Sequence, residues 1–492
     1  MYDITIIGAG IIGTSIAREL SKYKLKIALI DRENDVANGT TKANTAIIHA
    51  GFDATPGTKM ARFNVQGNVM FDKLCEDLDV EFKRIGSLVI GFNEEDMEEL
   101  QNLYDRGIEN GVPGMEIIGH KRVKELEPNI SDNVTGALYA PTAGVIGPWE
   151  LAIALAENAI ENGVELLLNH EVKDIQKNQE GYELFTNNRV LSTKYIINCS
   201  GVYSDYINEM IAKPTFKINP RRGQYFVLDK SVGNLVNTVV FQCPTKLGKG
   251  ILVSPTIHGN ILVGPDAEDL DDKENLSTTE DRLKYIKEIA KLSVEEIPYH
   301  MTITTFAGIR AEPSTGDFII EEAEDAKGFI NVAGIKSPGL TSSPAIARYV
   351  VDLVGKIVGN LEEKDDFNPK RRKLIRFNLL SQKEKEKIIK DNPKFGKIIC
   401  RCEHITEGEI VDIIKRKAGA TTVDGVKRRA RPGAGRCQGG FCGPRVVEIL
   451  ARELGKEMDE IQKDRIGSYI LTEKTNKGNN SMKEEELELF PI

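Results

Sequence analysis

The chain has 492 residues, 40% of them apolar and 28% charged, and a formal net charge of −9. That length is too great for a single core and predicts two or three domains. The acidic balance excludes a nucleic-acid footprint, and no apolar run is long enough to span a bilayer. With no basic, apolar leader in view, the expectation is a cytoplasmic protein with reduced thiols.

Asp3–Ile7 reads as a strand, Gly8-Ala-Gly10-Ile-Ile-Gly13 as a tight turn, Thr14–Tyr23 as a helix and Lys26–Ile30 as a second strand ending at Asp31. This is a βαβ unit with a dinucleotide fingerprint. Gly8 permits the turn, Gly10 lets the backbone approach a pyrophosphate, and Gly13 lets the helix pack on the strand. The helix N-terminus offers N–H groups to phosphate, and Asp31 can accept from a ribose.

Three further segments carry a resemblance. Gly39–Gly51 includes Ile-Ile-His49-Ala-Gly, Tyr195–Gly201 is an apolar strand ending Asn-Cys-Ser-Gly, and Val332–Thr341 is a glycine-rich loop expected to open a helix over 344–354. Together they resemble the D-amino-acid-oxidase-like flavoproteins. The resemblance implies FAD held by Gly8, Gly10, Ile12, Gly13, Asp31, Arg32, Thr40, Thr41, Asn44, Val172, Gly201, Gly334, Gly339, Leu340 and Thr341. The chain has no second GxGxxG, so one FAD and no NAD are expected.

Residues 81–145 and 219–309 read as short strands with turns, with helices over 149–163 and 279–292. The fold class expected is α/β: a Rossmann-like FAD domain (about 1–80, 146–215 and 305–360) with an inserted mixed-sheet substrate domain (about 81–145 and 216–304). Flavin oxidation of a secondary alcohol needs a base for the hydroxyl proton and cations for an anionic substrate. His49 lies in the segment expected beside the flavin and is a candidate base. Arg310, in Gly-Ile-Arg-Ala-Glu-Pro, resembles the family's substrate arginine, and a guanidinium fork suits carboxylate or phosphate. Lys336 matches a lysine of glycerol-phosphate enzymes. Arg221, Arg222 and Tyr225 are expected to line the pocket, and His258 to face solvent.

Two relatives compete. Ile47–Lys59, Arg222–Phe226 and Val263–Ala267 resemble L-2-hydroxyglutarate oxidase. Over its whole length the chain resembles the large subunit of anaerobic glycerol-3-phosphate dehydrogenase. One departure stands against the second. That family carries Arg-Tyr after its histidine motif, whereas this chain has Phe52-Asp53, and a carboxylate there would repel phosphate. Glycerol 3-phosphate is still ranked first, L-2-hydroxyglutarate second, and a secondary-amine dehydrogenase or an electron-transfer subunit third.

A charged linker is expected over 361–397, described as solvated. Four of the seven cysteines follow, as Cys400-Arg-Cys402 and Cys437-Gln-Gly-Gly-Phe-Cys442. Thr406-Glu-Gly-Glu409 fits a capping box, and Pro444 suits the first turn of a last helix. The spacing resembles the bacterioferritin-associated-ferredoxin-like fold, a small helical domain over 398–460. That resemblance implies a [2Fe–2S] cluster on Cys400, Cys402, Cys437 and Cys442, with N–H support from Gly435, Gly439, Gly440 and Gly443. Zinc is the alternative. A cluster implies single-electron transfer to a partner flavoprotein or quinone-linked subunit, by which an oligomer could reach a membrane. The tail over 471–492 is expected to be disordered.

Overall fold

The computed structural model describes residues 1–244 and 250–473. In chain order its main elements are β1 (Tyr2–Ile7), α1 (Ile11–Leu20), β2 (Ile27–Ile30), α2 (Glu94–Glu109), α3 (Pro148–Glu161), β3 (Val190–Asn198), β4 (Ile218–Leu228), α4 (Glu280–Ala290), β5 (Thr302–Pro313), β6 (Phe329–Ala333), α5 (Gly339–Val358), α6 (Glu407–Ile414), α7 (Val423–Ala430) and α8 (Gly443–Leu454).

An eight-stranded sheet carries the nucleotide-binding half. Its centre is parallel: β1 pairs with β2 and β3, and β6 pairs with β3. The strands are buried on both faces, as continuous apolar runs such as Ile27–Ile30 require; Ile4 and Ile6 are fully buried as well. Helices α1, α3 and α5 share one core with this sheet.

A nine-stranded sheet forms the other half. Its backbone is the antiparallel ladder of β4 on β5, with Arg221 opposite Arg310 and Tyr225 opposite Phe306. The expected boundary at 305 is corrected here, because β5 runs through it and belongs to this sheet. Phe82–Arg84 and Gly144–Ile146, expected in the substrate domain, pair instead in a three-stranded sheet with Ile47–Ile48. The strand-and-turn reading of 81–145 also missed α2. Asn93 caps that helix by accepting from Asp96 N–H, three acids fill its first turn, and Leu100 and Leu103 are buried. Acids at a helix N-terminus complement its dipole.

Helix α5 begins at Gly339, not at 344, and holds Pro344 inside it. Proline cannot donate to the carbonyl four residues back. The Ser343 hydroxyl donates to that Leu340 carbonyl instead, at 2.9 Å.

Helices α6–α8 pack around Ile410, Val426 and Leu450. The capping box at Thr406 and Glu409 is formed in both directions. Residues beyond the expected end at 460 belong to this unit: Val423 and Asp424 N–H donate to the Gln462 and Lys463 carbonyls. The expected linker is not wholly solvated either. Ser381 and Glu384 cap a helix over Gln382–Asp391, and Arg371 is buried against Glu157. The expected tail lies outside the described residues from 474 onward.

The cluster domain is joined to the nucleotide-binding half by buried charge. Asp35 accepts from Arg429 Nη2 at 2.6 Å and from Arg428 Nη2 at 2.8 Å, and all three residues are buried. Burial alone would raise the Asp35 carboxyl, but the two guanidiniums outweigh it and hold the pKa below the usual range. A depressed aspartate contributes stability that is complete above its unfolded pKa, near 4, and is lost as the pH falls through the folded value. Removing one partner of a buried ion pair costs about 3–5 kcal/mol. Asp35→Ala should therefore loosen the docking, and calorimetry should show the C-terminal domain melting earlier than in the parent protein. An unchanged trace would mean that other contacts hold the domain.

Candidate functional site

A cavity of about 440 Å³ runs from the glycine turn to the loop before α5. Gly8 sits at φ +104°, and a Cβ there would lie 2.4 Å from the Cys199 carbonyl oxygen. The end of β1 can therefore close on the end of β3 only through glycine. A Cβ on Gly13 would lie 1.9 Å from the Gly8 oxygen, so Gly13 sets helix packing.

Gly8, Gly10, Ile12, Asp31, Arg32, Thr40, Thr41, Asn44, Val172, Gly201, Gly339 and Leu340 all line this cavity. Gly13, Gly334 and Thr341 do not. Gly334 packs on Pro313 at φ +64°, and Thr341 Oγ1 accepts the His49 backbone N–H at 2.9 Å. Both act by positioning.

At the turn end, Asp31 Oδ2 accepts Ala9 N–H at 2.6 Å and Oδ1 accepts Glu33 N–H at 2.9 Å. Burial pushes its carboxyl up to about 6, while these N–H groups pull the other way. The Arg32 guanidinium lies 4.3 Å over the Tyr203 ring. Tyr203 and His170 also line the cavity and were not foreseen, although each stands two residues from a position that was: Gly201 and Val172.

The chain meets the donor set that FAD needs: a glycine cradle, a helix N-terminus, an acid and hydroxyls along one elongated cavity. The Gly39–Ala46 loop is pressed onto β5, since a Cβ on Gly308 would lie 1.9 Å from the Ala43 oxygen. Thr40 Oγ1 donates to the Ile309 carbonyl at 2.8 Å.

At the far end the cavity is lined by His49, Tyr225, Arg310, Lys336 and Ser337. His49 Nε2 is 3.3 Å from Ser337 Oγ. Tyr225 stacks on Phe306 with centroids 4.5 Å apart, and its hydroxyl is 3.2 Å from Thr45 Oγ1. Lys336 Nζ pairs with Glu312. Among the described residues the Arg310 guanidinium makes one hydrogen bond, from Nη2 to the Asp266 carbonyl at 3.3 Å. Its remaining N–H groups are available to an anion.

Arg222 is placed elsewhere. Side chains alternate along a strand, so Arg221, Gly223 and Tyr225 share the face of Arg310, and Arg222 occupies the other. It is 3% exposed, bonded through Nε and Nη2 to Glu268 and through Nη1 to Asn275 and Ser277. Three positions apart, Arg222 and Tyr225 cannot line one pocket from one regular strand. His258 is corrected too. Its side chain is only 14% exposed and Nε2 stands 2.8 Å from Glu150 Oε1, an ion-pair distance without hydrogen-bond alignment.

The four thiols stand as two pairs. Cys402 and Cys437 Sγ are 3.8 Å apart at the surface, and Cys400 and Cys442 are buried. The Cys442 thiol, with help from Gly433 and Glu403 N–H and against burial, brings Cys400 down to about 6. Cys437 is lowered first by the Phe441 N–H and then, against burial, by that of Gly439. Among the described residues no three His, Cys, Asp or Glu side chains converge on a single ion position. Two thiol pairs suit a binuclear cluster better than the single tetrahedral point of zinc. Gly440 and Gly443 do not supply the expected N–H groups to sulfur; theirs go to the Cys437 and Gly439 carbonyls.

Comparison with known proteins agrees with this geometry. Residues 3–353 match the family described as FAD dependent oxidoreductase, and residues 398–452 match the BFD-like [2Fe-2S] binding domain. The chain is 61% identical over 472 residues to a glycerol 3-phosphate dehydrogenase from Caloramator mitchellensis, covering 96% of this chain and 98% of that one. The human mitochondrial L-2-hydroxyglutarate dehydrogenase is 30% identical, over 54% of this chain and 61% of its own. A solved structure, the dithionite-reduced L-alpha-glycerophosphate oxidase from Mycoplasma pneumoniae with FAD bound, superposes with a TM-score of 0.72 at 34% identity, covering 75% of this chain and 98% of that one. The chain is thus a member of the FAD dependent oxidoreductase family, an enzyme with FAD in its first three quarters and a [2Fe–2S] domain behind it.

Proposed function

We propose that this enzyme oxidises sn-glycerol 3-phosphate to dihydroxyacetone phosphate and passes the electrons singly to a partner. The observation that carries the reading is Arg310, a cation facing the cavity with most of its donors uncommitted. The likeness to the Caloramator protein supports it, because it spans the cysteine domain as well as the flavin domain.

The Phe52-Asp53 departure no longer weighs against phosphate. Neither residue lines the cavity. Phe52 is 7% exposed and packs with Leu103, Val112 and Met115, while Arg106 Nη1 donates to the Asp53 carbonyl at 3.0 Å. No repulsion at the site follows from Asp53.

In this reading Arg310 holds the phosphate by charge-assisted hydrogen bonds. His49 takes the hydroxyl proton at Nε2, beside Ser337. Lys336, balanced by Glu312, adds local polarity more than net charge. Tyr225, backed by the stacked Phe306 ring, walls the site against water. When bound, FAD supplies the hydride acceptor and the cluster a one-electron carrier. The exposed rim by Cys402, where Phe441 is 87% exposed, gives a partner flavoprotein or quinone-linked subunit a place to approach. No helix among the described residues is long and apolar enough to cross a membrane.

L-2-hydroxyglutarate is the second reading, since Arg310 can hold a carboxylate equally well. Anaerobic flavin bleaching decides: glycerol 3-phosphate should bleach the enzyme quickly and L-2-hydroxyglutarate slowly. The reverse order would hand the assignment to the hydroxy acid.

Charge-assisted bonds are worth about 1.5–3 kcal/mol. Arg310→Ala should therefore raise KM roughly ten- to a hundredfold, with FAD still bound. Arg222→Ala should leave KM nearly unchanged and lower the melting temperature, because it strips Glu268 of its partner. If both variants behave alike, the two faces of β4 have been wrongly assigned.

Cys437→Ser should leave bleaching by substrate intact while abolishing cluster absorbance and transfer to the natural acceptor. Undiminished transfer would remove the cluster from the electron path.

A further inference from the structure

The Arg310 side chain crosses β4 to reach its hydrogen-bond acceptor. A Cβ on Gly223 would lie 2.6 Å from Arg310 Nη2 and 2.8 Å from the Pro265 Cβ. The guanidinium therefore passes over that glycine and ends at the Asp266 carbonyl, 3.3 Å away. Where Asp266 stands decides where this cation points.

Asp266 lies at a break in the sheet. Phe226 of β4 pairs with Val263, and Arg222 pairs with Glu268. Four steps along β4 are thus answered by five along the facing segment. An extra residue of this kind is a bulge, a device that re-aims side chains beside functional sites. The Gln224 N–H faces the break, and Asp266 Oδ1 accepts it at 2.7 Å. The other carboxylate oxygen, Oδ2, accepts from Arg282 Nε at 2.5 Å. Arg282, on α4, also donates from Nη2 to the Ala267 carbonyl at 3.0 Å. The Asp266 side chain is fully buried, and neither Asp266 nor Arg282 lines the flavin cavity.

One residue therefore meets two arginines with different atoms. Arg310 receives a neutral carbonyl, and Arg282 receives the charge. A carbonyl fixes the direction of a guanidinium without cancelling its charge. A carboxylate would form a charge-assisted pair with it and compete with any anionic substrate. A buried carboxylate left without a partner is costly. Without Arg282, the cation closest at hand for Asp266 is Arg310, whose Nη2 already stands at that residue.

We propose, on the reading of Arg310 as the substrate cation, that Arg282 is a positioning residue that holds the Asp266 carboxylate away from Arg310. The guanidinium is then aimed by Asp266 and keeps its charge for the substrate. Arg282 acts through Asp266, on the far side of it from the cavity.

The test uses the full-length enzyme with FAD and cluster loaded. Steady-state kinetics with glycerol 3-phosphate are measured beside competitive inhibition by inorganic phosphate. Arg282→Met should raise KM and the phosphate inhibition constant roughly tenfold, with kcat nearly unchanged. Arg282→Lys, which keeps a cation on Asp266, should restore both. Asp266→Asn removes the charge but keeps an acceptor for Gln224 and the carbonyl for Arg310, so its KM should stay at or below that of the parent. The double variant Asp266→Asn/Arg282→Met should follow Asp266→Asn. Both single variants lose the ion pair and should melt earlier, so stability does not separate them and KM does. If Arg282→Met fails to hold FAD, Asp266→Asn decides alone. The proposal is overturned if Asp266→Asn raises KM as Arg282→Met does, which marks a merely structural pair, or if folded Arg282→Met keeps the parent KM. Arg310→Ala separates the two levels. An unchanged KM there would sink the reading of Arg310 and this inference with it, whereas a raised KM without the Arg282 and Asp266 pattern would sink this inference alone.

Discussion

Asp35 and its two arginines are the contact on which the electron-carrying arrangement depends. The aspartate stands just after β2, a few residues before the loop that walls the flavin cavity. The arginines stand on α7, within the same small core as the cysteine loops. Charges in a dry interface must be matched or they cost several kcal/mol. Glu157 repeats the device with Arg371 and Arg416. The cluster domain is thus fixed against the flavin half by geometry that tolerates little slippage.

The second organising constraint is the parity of β4. Its ladder with β5 sends alternate side chains forward to the cavity and backward to α4. Arg310, Gly223 and Tyr225 go forward. Gln224 goes backward, where its Oε1 accepts the N–H of Thr279, the residue just before α4. Gly223 is needed on the forward face because a Cβ would lie 2.6 Å from the Arg310 guanidinium. One strand therefore builds the substrate wall with one set of residues and braces it with the other. Arg222 is part of the brace.

Much of this was legible from short-range pattern. The glycine turn and the capping box at Thr406 are local signals, and each takes its expected local form; Asp31 closes β2 as expected, with its oxygens on the Ala9 and Glu33 N–H groups. What escaped was set by distant partners. Pro344 does not break α5 because a serine hydroxyl answers the orphaned carbonyl. His258 is drawn inward by Glu150, over a hundred residues away in sequence. The glycine N–H groups of the cysteine loop were assigned to sulfur with the ferredoxin-like resemblance, while turn geometry gives two of them to carbonyls. Asp53 was read as a pocket residue because Phe52-Asp53 stands where the related family carries Arg-Tyr, but neither residue lines the cavity and Phe52 is buried. Helix α2 is a different case, since its cap and acids were in plain view and a regional strand reading overrode them.

The Gly39–Ala46 loop is anchored on both of its faces. Asp464, from the far end of the cluster domain, accepts from Lys42 Nζ at 2.7 Å and from Arg428 Nη1 at 2.8 Å. Against its own burial, those cations hold its carboxyl down to about 2. The carboxylate therefore stays ionised throughout the physiological range, and Lys42 is held to the cluster domain. On the other face of the same loop, Thr41 Oγ1 accepts the Ile11 N–H at the start of α1, and Asn44 bonds back to Thr40 and Thr41. The short loop is thus held from two sides, by a charged anchor to the cluster domain and a hydroxyl anchor to the start of α1.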